Sequence, residues 1–99
     1  MPSELEQRIL NERAQLLALD STLDDKRTPY MKRQLRFAGH MLDDATTGLS
    51  HAARANPSNA AMWRDFAQMN IQIAAQLREK VRAAVDKYGG PEHITEIDG

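Results

Sequence analysis

Apolar residues recur along most of this chain at intervals of three and four, and two polar breaks divide the pattern into three runs. Such spacing predicts three amphipathic helices. In the first run Leu5, Ile9, Leu16, Leu19 and Leu23 repeat, flanked by Leu10, Ala14 and Leu17, with Glu12 interrupting the seam. Ser3 and Glu6 have capping-box spacing, and Glu4 and Glu6 put negative charge at the positive end of the helix dipole. The first helix is expected over about residues 3–23.

Thr28-Pro29 reads as an N-cap followed by proline at the first helical position, where its missing N–H costs nothing. Beyond it Met31, Leu35, Ala38, Leu42, Ala45, Leu49 and Ala52 repeat with gaps alternating between 4 and 3, an unbroken heptad seam. One row of that seam is leucine and the other small, so a neighbouring helix can approach closely. Gly39 and Gly48, each unfavourable inside a helix, fit the same close packing. A break at Thr46-Thr47-Gly48 is the alternative; the continuous seam favours one helix over about 29–54.

The third helix is expected over about 59–88, after Asn56-Pro57 and before the glycine stop at Gly89-Gly90-Pro91. Its apolar row is expected to be Met62, Phe66, Met69, Ile73, Leu77, Val81, Ala84 and Tyr88. Trp63, Ala67, Ile71, Ala74, Ala75 and Val85 widen the apolar surface beyond one stripe. Asn70 falls inside that surface and is expected at its edge, facing water. Residues 91–99, with Glu92, Glu96 and Asp98, read as an acidic tail, mobile or loosely docked. Residues 1–90 thus form one all-α domain, an antiparallel up-down-up three-helix bundle. The apolar coverage of helices two and three exceeds what three rods need, so a homodimer is expected.

With 41% hydrophobic and 27% charged residues in 99, the chain is an ordinary folded domain. It has no cysteine, which excludes disulfides, thiol catalysis and thiolate metal sites. It has no apolar run of membrane-spanning length and no basic-then-apolar leader, so no membrane association is expected and cytoplasm is the expected compartment.

The net charge of −1 hides a segregated pattern. Residues 1–25 carry six acids and two bases, whereas 26–54 carry six bases and two acids. Asp20, Asp24 and Asp25 sit near the negative end of the first helix dipole, and Lys32, Arg33 and Arg36 near the positive end of the second. A tight antiparallel hairpin brings these ends together, and mutual compensation is the expected role. The rival reading makes Lys32, Arg33, Arg36 and His40, beside Lys26 and Arg27, a patch for an anionic partner. The near-neutral total and the absence of glycine-rich loops argue against nucleic acid as the ligand.

His40, Asp44 and His51 share one side of helix two but lack the paired ligand motifs of bundle metal sites. A solvated polar face is expected there, with no metal or other cofactor. Asp43-Asp44 cannot act as a catalytic pair, because consecutive helical residues point about 100° apart. Tyr30, Phe37 and Met41 flank the leucine seam. They either meet Val81, Val85 and Tyr88 within the bundle or face a partner chain. The expected function is a non-catalytic helical protein–protein interaction module, an adaptor, chaperone-like or inhibitor protein. A nucleic-acid-associated protein using the Lys26–Arg36 cluster is the first alternative, and a small all-helical enzyme the second.

Overall fold

A computed structural model of the chain, described over residues 3–95, is all-helical among those residues. It contains α1 (Glu4–Leu23), α2 (Pro29–Arg54) and α3 (Pro57–Tyr88), with single 3-10 turns at Asp24–Lys26 and Pro91–His93. Each long helix is started by a side-chain cap. Ser3 Oγ accepts from the Glu6 N–H at 3.2 Å, Thr28 Oγ1 from Met31 at 3.2 Å and Asn56 Oδ1 from Asn59 at 2.9 Å. The third helix therefore begins at Pro57 rather than near 59. Asn56-Pro57 repeats the cap-then-proline device of Thr28-Pro29. α2 runs through Gly48 without a break. Gly89, in the left-handed region at φ 89°, ends α3.

Contacts at both ends fix the directions. The His51 ring stacks on Trp63 near one end of the α2–α3 pair, and Tyr30 shares a groove with Tyr88 near the other, so these helices are antiparallel. Arg13 reaches Asp43 at 2.9 Å and Arg27 reaches Asp20 at 2.7 Å, so α1 also runs against α2. The resulting body measures 52 × 24 × 17 Å. Its radius of gyration of 15.7 Å exceeds the roughly 13 Å of a compact chain this long.

The core has two parts. A central cluster joins Ile9 and Leu16 of α1 to Ala38, Leu42 and Ala45 of α2 and Ala67, Ile71 and Ala74 of α3. A second cluster gathers Leu19, Leu23, Met31, Val81 and Val85 where α1 and α3 end and α2 begins. Ile94 is buried in this second cluster, so the segment expected to be loose is packed down as far as that residue. The rest of the acidic tail, residues 96–99, lies outside the described residues.

The seam of α2 is buried at Met31, Ala38, Leu42 and Ala45, where the heptad pattern puts it, with Leu35 and Leu49 partly buried beside them. The face of α3 is not the expected one. Its buried positions include Ala60, Ala67, Asn70, Ile71, Ala74, Val81 and Val85. Met62 and Met69 of the expected row point out, and Phe66 is exposed beside Gly48. The reason is close approach. Alanines on α3 meet the alanine row of α2, and the bulky residues are turned to the flank. Gly48 shows how tight the fit is: a Cβ there would lie 2.9 Å from the Phe66 ring and 3.3 Å from the Trp63 carbonyl oxygen. Gly39 has no such neighbour within 4 Å, so close packing accounts for only one of the two glycines.

Two polar residues are taken inside. Asn70, expected at a wet edge, is 7% exposed, and its Nδ2 donates to the Phe66 carbonyl one turn back at 2.9 Å. Glu12 is buried at the α1 seam and accepts from Arg78 Nε of α3 at 2.5 Å. The bond from Glu12, partly opposed by burial, raises the Arg78 guanidinium above its ordinary pKa.

Candidate functional site

α2 and α3 form a two-helix layer, and α1 covers one side of it. The α2 residues on grooves shared with α1 include Leu35, Gly39, Leu42, Thr46 and Leu49. On α3, Arg78 reaches Glu12, while Arg82 and Val85 line a groove with Gln15 and Leu19. The other side of the layer has no such cover among the described residues. There Tyr30 and Met31 line a groove of about 430 Å³ with Lys80, Ala83, Ala84 and Tyr88, and no α1 residue takes part.

Helical spacing extends this open side along both rods. Phe37 lies seven residues after Tyr30 and Gly48 eleven after Phe37, so all follow one flank of α2. On α3, Met62, Phe66, Met69 and Ile73 follow each other at gaps of 4, 3 and 4. Phe66 rests against Gly48, which joins the two flanks into one surface. The exposures are large for apolar side chains: 58% for Phe37, 65% for Met62, 41% for Phe66 and 59% for Met69. Scattered apolar residues on a surface need no explanation, but a contiguous apolar face marks an interaction site.

Of the residues singled out in the sequence, Met41 is half-buried and packs against the central core. Tyr30 sits over the groove beside Tyr88, and Phe37 projects from the open face. Met62, Phe66 and Met69 belong to this surface too, although their size suggested a core role. The signal that separates them is the strict seven-residue repeat Ala60, Ala67, Ala74, Val81, which marks the inward row.

The basic cluster is divided between two environments. Lys32 and Arg36 line a groove of about 650 Å³ between α1 and α2, together with Arg13, Arg27 and Asp20. Arg27 bonds both the Asp20 carboxylate and its carbonyl oxygen, at 2.7 and 3.0 Å, and so closes the hairpin corner. Arg13 is paired with Asp43. Arg33 and His40 are exposed and do not line that groove. His51 stacks on Trp63 at 4.5 Å between ring centroids, and Trp63 meets Phe66 edge-on at 5.7 Å. Among the described residues, no group of three His, Asp or Glu is placed to hold a metal ion. No described helix is long and apolar enough to cross a membrane.

The open face carries both signs of charge. Arg33 on α2 lies near the level of Lys80 on α3, towards the Tyr30 end, while Asp65 lies towards the Trp63 end and Asp44 near the middle of α2. All four are exposed, and none makes an ion pair with a described residue. Chemically, the surface is suited to burying apolar side chains between two flanking sets of opposite charge. The chain matches no protein-family model, no curated protein and no solved structure.

Proposed function

We propose that this protein is a non-catalytic helical interaction module that works by burying the open side of its α2–α3 layer against another helical surface. One observation carries the reading. Phe37 of α2 and Met62, Phe66 and Met69 of α3 are large exposed apolar side chains on the side of the layer away from α1. Two rods side by side present a long shallow trough, the place where a further helix or a helical hairpin completes a bundle. Self-association into a homodimer is the form of this reading that the sequence favours.

Methionine oxidation tests the proposal at the residues concerned. Met62 and Met69 report on the face, and Met31, fully buried, is the slow internal reference. With mild peroxide and peptide mass spectrometry, Met62 and Met69 should be protected when the face is occupied. Protection should appear at high protein concentration or in extract of the native host, and fade on dilution. Oxidation of both at the free-methionine rate in every condition, extract included, overturns the reading.

The α1–α2 groove supports a second reading, because Lys32 and Arg36 line it beside Arg13 and Arg27. Phosphate contacts there would give oligonucleotide binding that weakens by about 0.9 log units per log unit of salt for each phosphate neutralised on duplex DNA. With Arg13 and Arg27 already paired to aspartates, we expect no such binding. Low-micromolar, salt-sensitive binding lost in the Lys32, Arg33 and Arg36 triple neutralisation would establish the nucleic-acid reading instead.

A further inference from the structure

We infer that the occupant of the open face is a second copy of this chain, laid antiparallel on it about a two-fold axis that crosses α2 near Met41 and α3 near Ile73. The inference rests on the interaction-module reading and adds the partner and its register. Charge complementarity carries it. On α3, Asp65 and Lys80 lie seven to eight residues on either side of the level of Ile73. On α2, Arg33 lies with Lys80 towards the Tyr30 end, eight residues from Met41, whereas Asp44 lies only three residues from it. A two-fold axis in the plane of contact and perpendicular to the helices reverses position along each rod but leaves α3 facing α3 and α2 facing α2. Asp65 then meets the partner subunit's Lys80, a pair that occurs twice, and the Arg33 end of each copy lies over the Asp65 end of the other.

The other face-to-face symmetry has its axis along the helices. It would set Arg33 of one copy over Lys80 of the other, like against like, and the pattern argues against it.

Shape and size fit the same register. The axis brings Met62 of one copy over the small residues Ala83 and Ala84 of the other, at the groove beside Tyr30. Met69 and Ile73 fall towards the centre and Arg33, Lys80 and Asp65 towards the ends, which is the usual anatomy of an interface. A strip as long as α2, about 39 Å, and two helices wide, about 18 Å, offers about 700 Å² per copy. Stable specific dimers bury about 800 Å² per partner.

A charge-swap series read by analytical ultracentrifugation tests the register. The wild type should sediment as a dimer at about twice the 11.1 kDa chain mass and dissociate on dilution. Asp65→Lys and Lys80→Glu should each weaken dimerisation by about tenfold, because each turns two attractions into two repulsions. The doubly swapped chain should regain wild-type affinity. An equimolar mixture of the two single variants should also pair at wild-type strength, since both contacts are then restored. Circular dichroism melts of each variant, taken below its dissociation constant, confirm that the helices remain folded. A dimer that ignores these swaps, or is tightened by Lys80→Glu, overturns the register and leaves the module reading standing. A monomer across a hundredfold range of concentration overturns the second-copy inference. The Met62 and Met69 footprint in host extract then decides whether the face binds something else.

Discussion

Glu12 and Arg78 form an ion pair across 66 residues of sequence, joining the middle of α1 to α3 with side chains only 8% and 12% exposed. Among the described residues it is the charged link between these helices, and it stands inside the apolar seam of α1.

Its two members are not equivalent. Arg78 also donates to Glu79 at 2.7 Å, so removing Glu12 leaves the guanidinium with a partner. Removing Arg78 leaves a carboxylate buried alone. Arg78→Ala should therefore cost about 3 to 5 kcal/mol and Glu12→Ala about 1 to 3 kcal/mol. Replacing both with leucine and methionine should cost less than either single change, because no charge is left stranded. Thermal melts of the three variants check the order, and equal losses for the two alanine variants would contradict it. The raised pKa of Arg78 means that its contribution is complete below the ordinary guanidinium range and is lost only as pH rises past the folded value. A melt series from pH 7 to 9 should show no loss traceable to its titration.

The two glycines inside α2 should separate on substitution. Gly39→Ala meets open space and gains helix propensity, about 0.5 to 1 kcal/mol of stability. Gly48→Ala gains the same propensity but must push the Phe66 ring outward and press on the Trp63 carbonyl oxygen. Its melting temperature should fall clearly below that of Gly39→Ala. Equal stabilisation by both would show that the helices do not approach closely at Gly48.

Ile94 closes the end of the bundle that holds Leu23, Met31 and Val81. Ile94→Ala should cost about 2 kcal/mol, near the low end for buried isoleucine because the site lies at the edge of the bundle's core. Urea unfolding checks this. A midpoint unchanged from wild type would mean that the segment after Gly90 adds nothing to the core.

Most of the fold was legible because its signals are local. Caps at Ser3, Thr28 and Asn56, the proline after two of them and the glycine stop at Gly89 bound the helices to within two residues. The α2 seam could be read because its large and small rows agree on one phase. The face of α3 could not be read from side-chain size. Hydrophobicity ranks Met62, Phe66 and Met69 above alanine, whereas close approach selects alanine, and the facing helix decides between them. Glu12 looked like an interruption for a related reason. Its partner lies on another helix at a separation no periodicity encodes. The residues of the open face were half visible: Phe37 stood outside the seam, but the α3 half appears only once the alanine contact fixes the rotation.

The alanine contact between α2 and α3 also sets how this protein should answer to temperature. Unfolding raises heat capacity in proportion to the apolar surface it exposes. Here much of the buried interface is alanine, at Ala38, Ala45, Ala67 and Ala74, with larger side chains turned outward. Unfolding a single chain therefore exposes less new apolar surface than its length suggests. Its heat-capacity increment should fall below the usual roughly 12 to 15 cal/mol/K per residue. The stability curve is correspondingly shallow, with little change between cold and warm and a broad transition at the end.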